Sequence, residues 1–174
     1  MKNKLLIVAF LALSVSLATC DKVLTFDISD ETTVTIEKVL TPFSIPYDFP
    51  TPDITTNSEQ EFENNDTKVE LVKEIILKDL DLTITSPTDK SFSFLKSIHI
   101  YIDNDTEEET ELAWKDDIQS DAKTIQLNLT TNTLDNYVKS SKYKLRTEVV
   151  TRETLNQDVD IKISMTFQVT ADPF

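Results

Sequence analysis

The sequence predicts an all-β fold, an antiparallel β-sandwich with one short helix, and three observations carry that prediction. Apolar and polar residues alternate with period two along most of the chain, which puts one face of each strand in a core and the other in water. The apolar runs are interrupted at every second position, as antiparallel strands with a wet face require and buried parallel strands do not. Clusters of Asn, Asp, Ser and Pro separate the alternating runs.

In chain order, Leu24, Phe26 and Ile28, then Val34 and Ile36, give two short strands. Residues 41–52 hold four of the six prolines, interleaved with Phe43, Tyr47 and Phe49. Proline fixes φ and discards a ladder donor, so this segment is expected to be extended and excluded from a central strand. It serves either as a strap packing its rings over a sheet edge or as a surface that docks a partner through Phe43, Tyr47 and Phe49. Residues 53–67 are polar and acidic and read as a long mobile loop.

The apolar residues of Val69 to Leu80 fit a helix and a bulged strand about equally, and β-branched content favours the strand. Alternation resumes at Leu80, Leu82 and Ile84, at Ile98, Ile100 and Ile102, and at Ile125, Leu127 and Leu129. Thr133 is placed to cap a short helix whose Leu134, Tyr137 and Val138 share a face at i, i+3, i+4 and plug one end of the sandwich. Tyr143, Leu145, Thr147 and Val149 form the next strand, and Val159, Ile161, Ile163, Met165, Phe167, Val169 and Ala171 the last. The 174 residues contain no glycine, against an average usage of about 7%. Turns must therefore be made by Asn, Asp, Ser and Pro, of which Asn and Asp best tolerate positive φ. Gly-rich phosphate cradles, dinucleotide fingerprints and nucleophile elbows are excluded on the same ground.

The first nineteen residues are set apart as a signal peptide, with Lys2 and Lys4 ahead of the apolar run Leu5 to Leu17. The run ends Leu17-Ala18-Thr19-Cys20, which resembles the lipobox of bacterial lipoproteins, and Cys20 is the sole cysteine. The resemblance implies cleavage before Cys20, acylation there, and a lipid-anchored domain of residues 20–174 in the bacterial cell envelope, with the choice between inner and outer membrane left open. Ordinary signal cleavage after Ser16-Leu17-Ala18 is the alternative. Losing residues 1–19 removes two lysines and no acid, leaving 31 acidic and 15 basic side chains, formally −16. Such a field repels nucleic acid and anionic headgroups.

From Val69 onward, Leu80-x-Leu82-x-Ile84-x-Ser86-Pro87, then Phe92-x-Phe94-Leu95-x-x-Ile98-x-Ile100, a short helix and two closing strands follow one another. This order resembles the water-stress/late-embryogenesis type of β-sandwich. The resemblance implies a sandwich of that kind or an immunoglobulin/fibronectin-III-like one.

No catalytic constellation emerges. His99, the only histidine, alternates with Ile98 and Ile100, so it and Tyr101 are expected on the wet face, with nothing in the spacing tying His99 to a carboxylate or nucleophile. One histidine and, with Cys20 acylated, no free thiol in the mature domain leave zinc only carboxylates. Asp103, Asp105, Glu107 and Glu109 offer calcium-type oxygens at alternating positions, but lack the glycine of an EF-hand loop and also read as a solvated hairpin tip. No cofactor is implied. The expected function is non-catalytic: an envelope lipoprotein that binds or scaffolds a protein partner. The alternatives are an apolar-ligand or lipid-handling sandwich with a cavity between its sheets, which a close-packed core would exclude, and a hydrolase using His99, which an inward-facing or carboxylate-paired His99 would revive.

Overall fold

The computed structural model describes residues 23–38, 40–42 and 45–174. Its strands form two antiparallel sheets packed face to face, the β-sandwich that the alternation predicts. The four-stranded sheet has the order β1 (Leu24–Ile36), β10 (Val159–Ala171), β4 (Val72–Ser86), β7 (Thr124–Gln126). The six-stranded sheet runs β2 (Tyr47–Pro50), β9 (Lys142–Thr151), β5 (Leu95–Asp103), β6 (Thr110–Lys115), β8 (Asn128–Leu129), with β3 (Ile54–Thr55) also pairing β9. All seven alternating apolar residues of β10 are buried, and one apolar core runs from Ile28 to Ala171.

Three elements differ from the sequence expectation, while the bulged strand favoured within Val69 to Leu80 is observed from Val72 onward. The two N-terminal strands are one 13-residue strand, because Asp30 and Thr32 occupy the inward positions between Ile28 and Val34 without breaking the ladder to β10. In β4 the inward residues are Val72, Ile75, Leu77, Leu80, Leu82 and Ile84. Register shifts against β10 at Lys73 and Lys78 insert extra residues, and these bulges produce the helix-like spacing. The run at 125–129 crosses between sheets: β7 pairs with β4, Leu127 N–H donates to Leu80 O at 3.1 Å, and β8 pairs with β6. One side of the sandwich is thereby closed.

The third difference is in residues 53–67, which hold β3 and a helix, α1 (Ser58–Asn64), in place of the expected loop. Phe62, fully buried and 6.3 Å from the Phe26 ring, supplies the one large apolar anchor, too few for a periodic signal. Thr67 Oγ1 donates to Asp172 O and Phe174 N–H to Asp66 O, fixing the C-terminus beside the helix. The predicted helix is α2 (Asp135–Val138), with Leu134, Tyr137 and Val138 buried. Thr133 does not cap it; it forms an isolated bridge with Ile76, and Leu134 N–H donates to Ile75 O. Among the described residues the positive-φ backbone positions fall on Asp66 (φ 56°) and Asp117 (φ 48°), a residue type that tolerates this region in place of glycine.

Between the sheets, Tyr143 on β9 donates its hydroxyl hydrogen to Asp30 Oδ2 on β1 at 2.7 Å. Burial raises the pKa of the Asp30 carboxyl, partly offset by this bond, and burial together with the neighbouring Asp30 raises that of the Tyr143 phenol. An inward acid on an edge strand also discourages another chain from extending the sheet there.

Candidate functional site

The side chains that stand out are on the solvent-facing side of the six-stranded sheet. On β9 the outward residues are Lys142, Lys144, Arg146 and Glu148, since Tyr143, Leu145, Thr147 and Val149 point inward. On β5 they are His99, Tyr101 and Asp103, as the parity of Ile98, Ile100 and Ile102 dictates. On β6 a register shift at Ile100/Tyr101 lets two consecutive residues, Leu112 and Ala113, both be buried. Glu111 and Trp114 are then both free to face outward, Trp114 directly opposite His99.

These residues form one connected row. The Arg146 guanidinium lies 4.2 Å from the Tyr101 ring centroid. The His99 ring follows at 6.5 Å from Tyr101 and 16° from parallel, and Trp114 at 6.4 Å from His99 and 21° from parallel. Carboxylates hold the row in place. Glu109 takes Arg146 in a bidentate pair at 2.7 and 2.8 Å, with Asp48 and Glu148 also bonded to the guanidinium. The hydrogen bonds it donates to Glu109, Asp48 and Glu148 outweigh its partial burial and raise the Arg146 pKa above its usual value.

His99 corrects the expectation of an unpartnered surface histidine. Its Nδ1 lies 2.6 Å from Glu111 Oε1 and its Nε2 3.4 Å from Asp116 Oδ1, and its side chain is 26% exposed. The chain turns at Asp117 and buries Ile118, whose N–H donates to Lys96 O, and so Asp116 returns over the ring. Burial alone would lower the His99 pKa, but the bonds and charges of Glu111 and Asp116 prevail and raise it. Only the imidazolium can donate from both nitrogens. A triad base needs one nitrogen on a carboxylate and the other on a nucleophile. Here both nitrogens face carboxylates, and no hydroxyl among the described residues is hydrogen-bonded to His99.

The acidic hairpin tip is spread onto cations. Asp103 lies 3.8 Å from Lys144, Asp105 3.5 Å from Lys142 and 3.8 Å from Lys144, and Glu109 is held by Arg146. The Glu107 N–H donates to Asn104 Oδ1, which also accepts from Thr106, while Asn104 Nδ2 donates to Asn136 O. Among the described residues no group of three or more His, Cys, Asp or Glu is arranged to hold a metal ion.

Of the strap rings, Phe49 is buried at 7% exposure in the core and is no surface ring, whereas Tyr47 is 52% exposed with its ring 5.2 Å from that of Phe49. Among the described residues β2 is an edge strand that pairs with β9, as suits a strand that ends on Pro50 and follows Pro46. Phe43 and Cys20 lie outside the described residues. Rings and branched side chains fill the space between the sheets, Phe92, Phe94, Phe167, Leu80 and Ile100 all being fully buried. A cleft of about 480 Å³ lies instead between α1 and the turn after α2, lined by polar and charged residues including Thr56, Asn57, Ser58 and Lys139. Among the described residues no helix is long and apolar enough to cross a membrane.

Sequence reasoning placed His99 and Tyr101 on the wet face but missed Trp114, Glu111, Asp116 and Arg146 as their neighbours. The alternation Lys142-x-Lys144-x-Arg146-x-Glu148 was the available signal for β9; on β6 the bulge erased it.

No family model matches the chain, and no curated protein matches it. Among solved structures, a 60-mer BFDV capsid protein aligns with a TM-score of 0.44 at 9% identity, over 88% of this chain and 95% of that one. Turnip yellow mosaic virus gives 0.31 at 12% identity, over 99% and 92%. Desmodium yellow mottle tymovirus gives 0.28 at 10% identity, over 99% and 97%.

Proposed function

We propose that the protein is an exported, lipid-anchored β-sandwich of the bacterial envelope that binds a protein partner without catalysis, through the outer face of its six-stranded sheet. The observation that carries the binding reading is the row Arg146, Tyr101, His99, Trp114 on a face turned to solvent. Sheet faces in water are ordinarily lined by small polar and charged groups, and half-exposed Trp, Tyr and Arg are the side chains that anchor interfaces. The pairing of both His99 nitrogens with carboxylates favours a structural over a catalytic role. Export and anchoring rest on Lys2, Lys4, the run Leu5 to Leu17 and the lipobox-like Leu17-Ala18-Thr19-Cys20. Two acyl chains would make the attachment stable, as each buried CH₂ contributes about 0.8 kcal/mol.

Two experiments test the proposal. Cells fed a clickable fatty acid should label the wild type and not Cys20→Ala; equal labelling would defeat the anchor. Co-purification from crosslinked envelopes should recover a partner with the wild type and lose it with Trp114→Ala plus Tyr101→Ala. Recovery of the same partner by a folded double variant would move the interface elsewhere.

A further inference from the structure

We infer that this face receives a lysine- and arginine-rich extended segment of its partner, an inference that rests on the binding reading above. The face already holds one arginine in the manner required. Arg146 stacks on Tyr101 while Asp48, Glu109 and Glu148 surround its guanidinium. The same combination recurs beside Trp114, where Glu111 and Asp116 flank the row and remain 31% and 55% exposed. Trp114 has the exposed Asn128 of the two-residue strand β8 as its other cross-strand neighbour, so the end of the row is open at a sheet edge. An indole is the best of the aromatic faces for a cation.

Charge points the same way. Asp48, Glu109, Glu111, Asp116 and Glu148 face only Arg146 and His99 within the row. Lys115, at the end of β6, directs its ammonium to Gln126 O. The surplus is negative even with His99 protonated, on a chain of net charge −14, which repels nucleic acid and draws in basic segments. With Asp48 on β2 at one end and Asn128 on β8 at the other, the face around the row crosses four strand spacings. At about 4.8 Å per strand that is roughly 19 Å, the length of about six extended residues.

The test uses the full chain in detergent and a six-residue Arg/Lys peptide carrying a fluorophore, with a Ser/Gln peptide of equal length and a neutral hexasaccharide as comparators. Trp114 is the only tryptophan, so its emission reports on this face directly. The basic peptide should bind saturably, change Trp114 emission and weaken as salt is raised, and the two neutral probes should not bind. Glu111→Gln with Asp116→Asn should weaken peptide anisotropy binding about fivefold or more, and Trp114→Ala by about fivefold. Glu70→Gln with Glu74→Gln, exposed and in or beside β4, removes equal charge and should leave it unchanged. If the acidic pair disturbs the fold by circular dichroism, Trp114→Ala decides alone. Equal weakening by both acid pairs, or binding without a change in Trp114 emission, would overturn the proposal as general attraction to an acidic protein. Response to the hexasaccharide alone would overturn it in favour of a glycan. Should the peptide fail while the partner crosslink still depends on Trp114 and Tyr101, the face binds and only its ligand class is wrong; should both fail, the face itself is wrong.

Discussion

Replacing Tyr143 by Phe should remove a single inter-sheet hydrogen bond with little other change. The Tyr143 ring is 1% exposed and meets Phe167 edge-on at 6.3 Å and 83°, contacts that phenylalanine retains. What disappears is the 2.7 Å donation to Asp30 Oδ2, leaving a carboxylate on the inward side of β1 without its partner from the other sheet. Hydrogen bonds to charged acceptors contribute about 1.5–3 kcal/mol. For a domain of this size each kcal/mol moves the melting temperature by about 2–4 °C, so a fall of roughly 4–10 °C is expected. The Tyr143 bond lowers the Asp30 pKa against the larger, raising effect of burial. Because the folded pKa is raised, ionisation of Asp30 costs stability as pH climbs through it, and without Tyr143 that cost grows. The variant should therefore lose most at pH 7.5 and less at pH 4.5, and Asp30→Asn should recover part of the loss. Urea unfolding at both pH values is the assay, with the midpoint moving and the slope constant. A loss below about 0.5 kcal/mol at neutral pH, or one indifferent to pH, would refute the assignment of this bond as the tie between the sheets.

Thr147, between Phe49 and Ile100 on the inner face, has a buried hydroxyl with no hydrogen-bond partner. Thr147→Val should gain about 1 kcal/mol in urea unfolding, since an unpaired buried hydroxyl costs about 1–3 kcal/mol; a loss would contradict it. The single histidine allows an unambiguous proton NMR titration, and its midpoint should lie above about 6.5 and fall in Glu111→Gln. With the folded pKa raised, His99 stabilises fully below the unfolded value and its contribution fades as pH rises through the folded one. The stability difference between wild type and His99→Gln should thus be greatest near pH 5.5 and small near pH 8.5, and the opposite trend would overturn the imidazolium clamp.

The strands whose inward positions are uninterrupted, β10, β9 and β5 from Ile98 onward, are readable from alternation alone, because nothing resets their parity there. β1 was divided by Asp30, whose inward place depends on a phenol 113 residues away. Periodicity in β4 and β6 was disturbed by bulges, which shift every later side chain to the other face. Helix α1 depends on Phe62 alone and is too short to show a stripe. The same bulge at Leu112 and Ala113 concealed the candidate site: the orientation of His99 and Tyr101 is local, but Trp114, Glu111 and Asp116 reach them only after a register shift and a turn at a positive-φ aspartate.

The pairing of β1 with β10 also sets the order in which the molecule can be assembled. Leu24 pairs with Ala171 and Ile36 with Val159, so during synthesis β1 waits for β10. Closing that interval carries a loop-entropy cost before any pairing offsets it, a topology that folds slowly. Until then the 13-residue strand is an unpaired edge, and Asp27, Asp30 and Glu31 within it are the charges that keep such an edge from recruiting another chain. A chain stopped short of Val159 would hold β1 and β4 with no strand between them, so the arrival of β10 is the event that completes the four-stranded sheet.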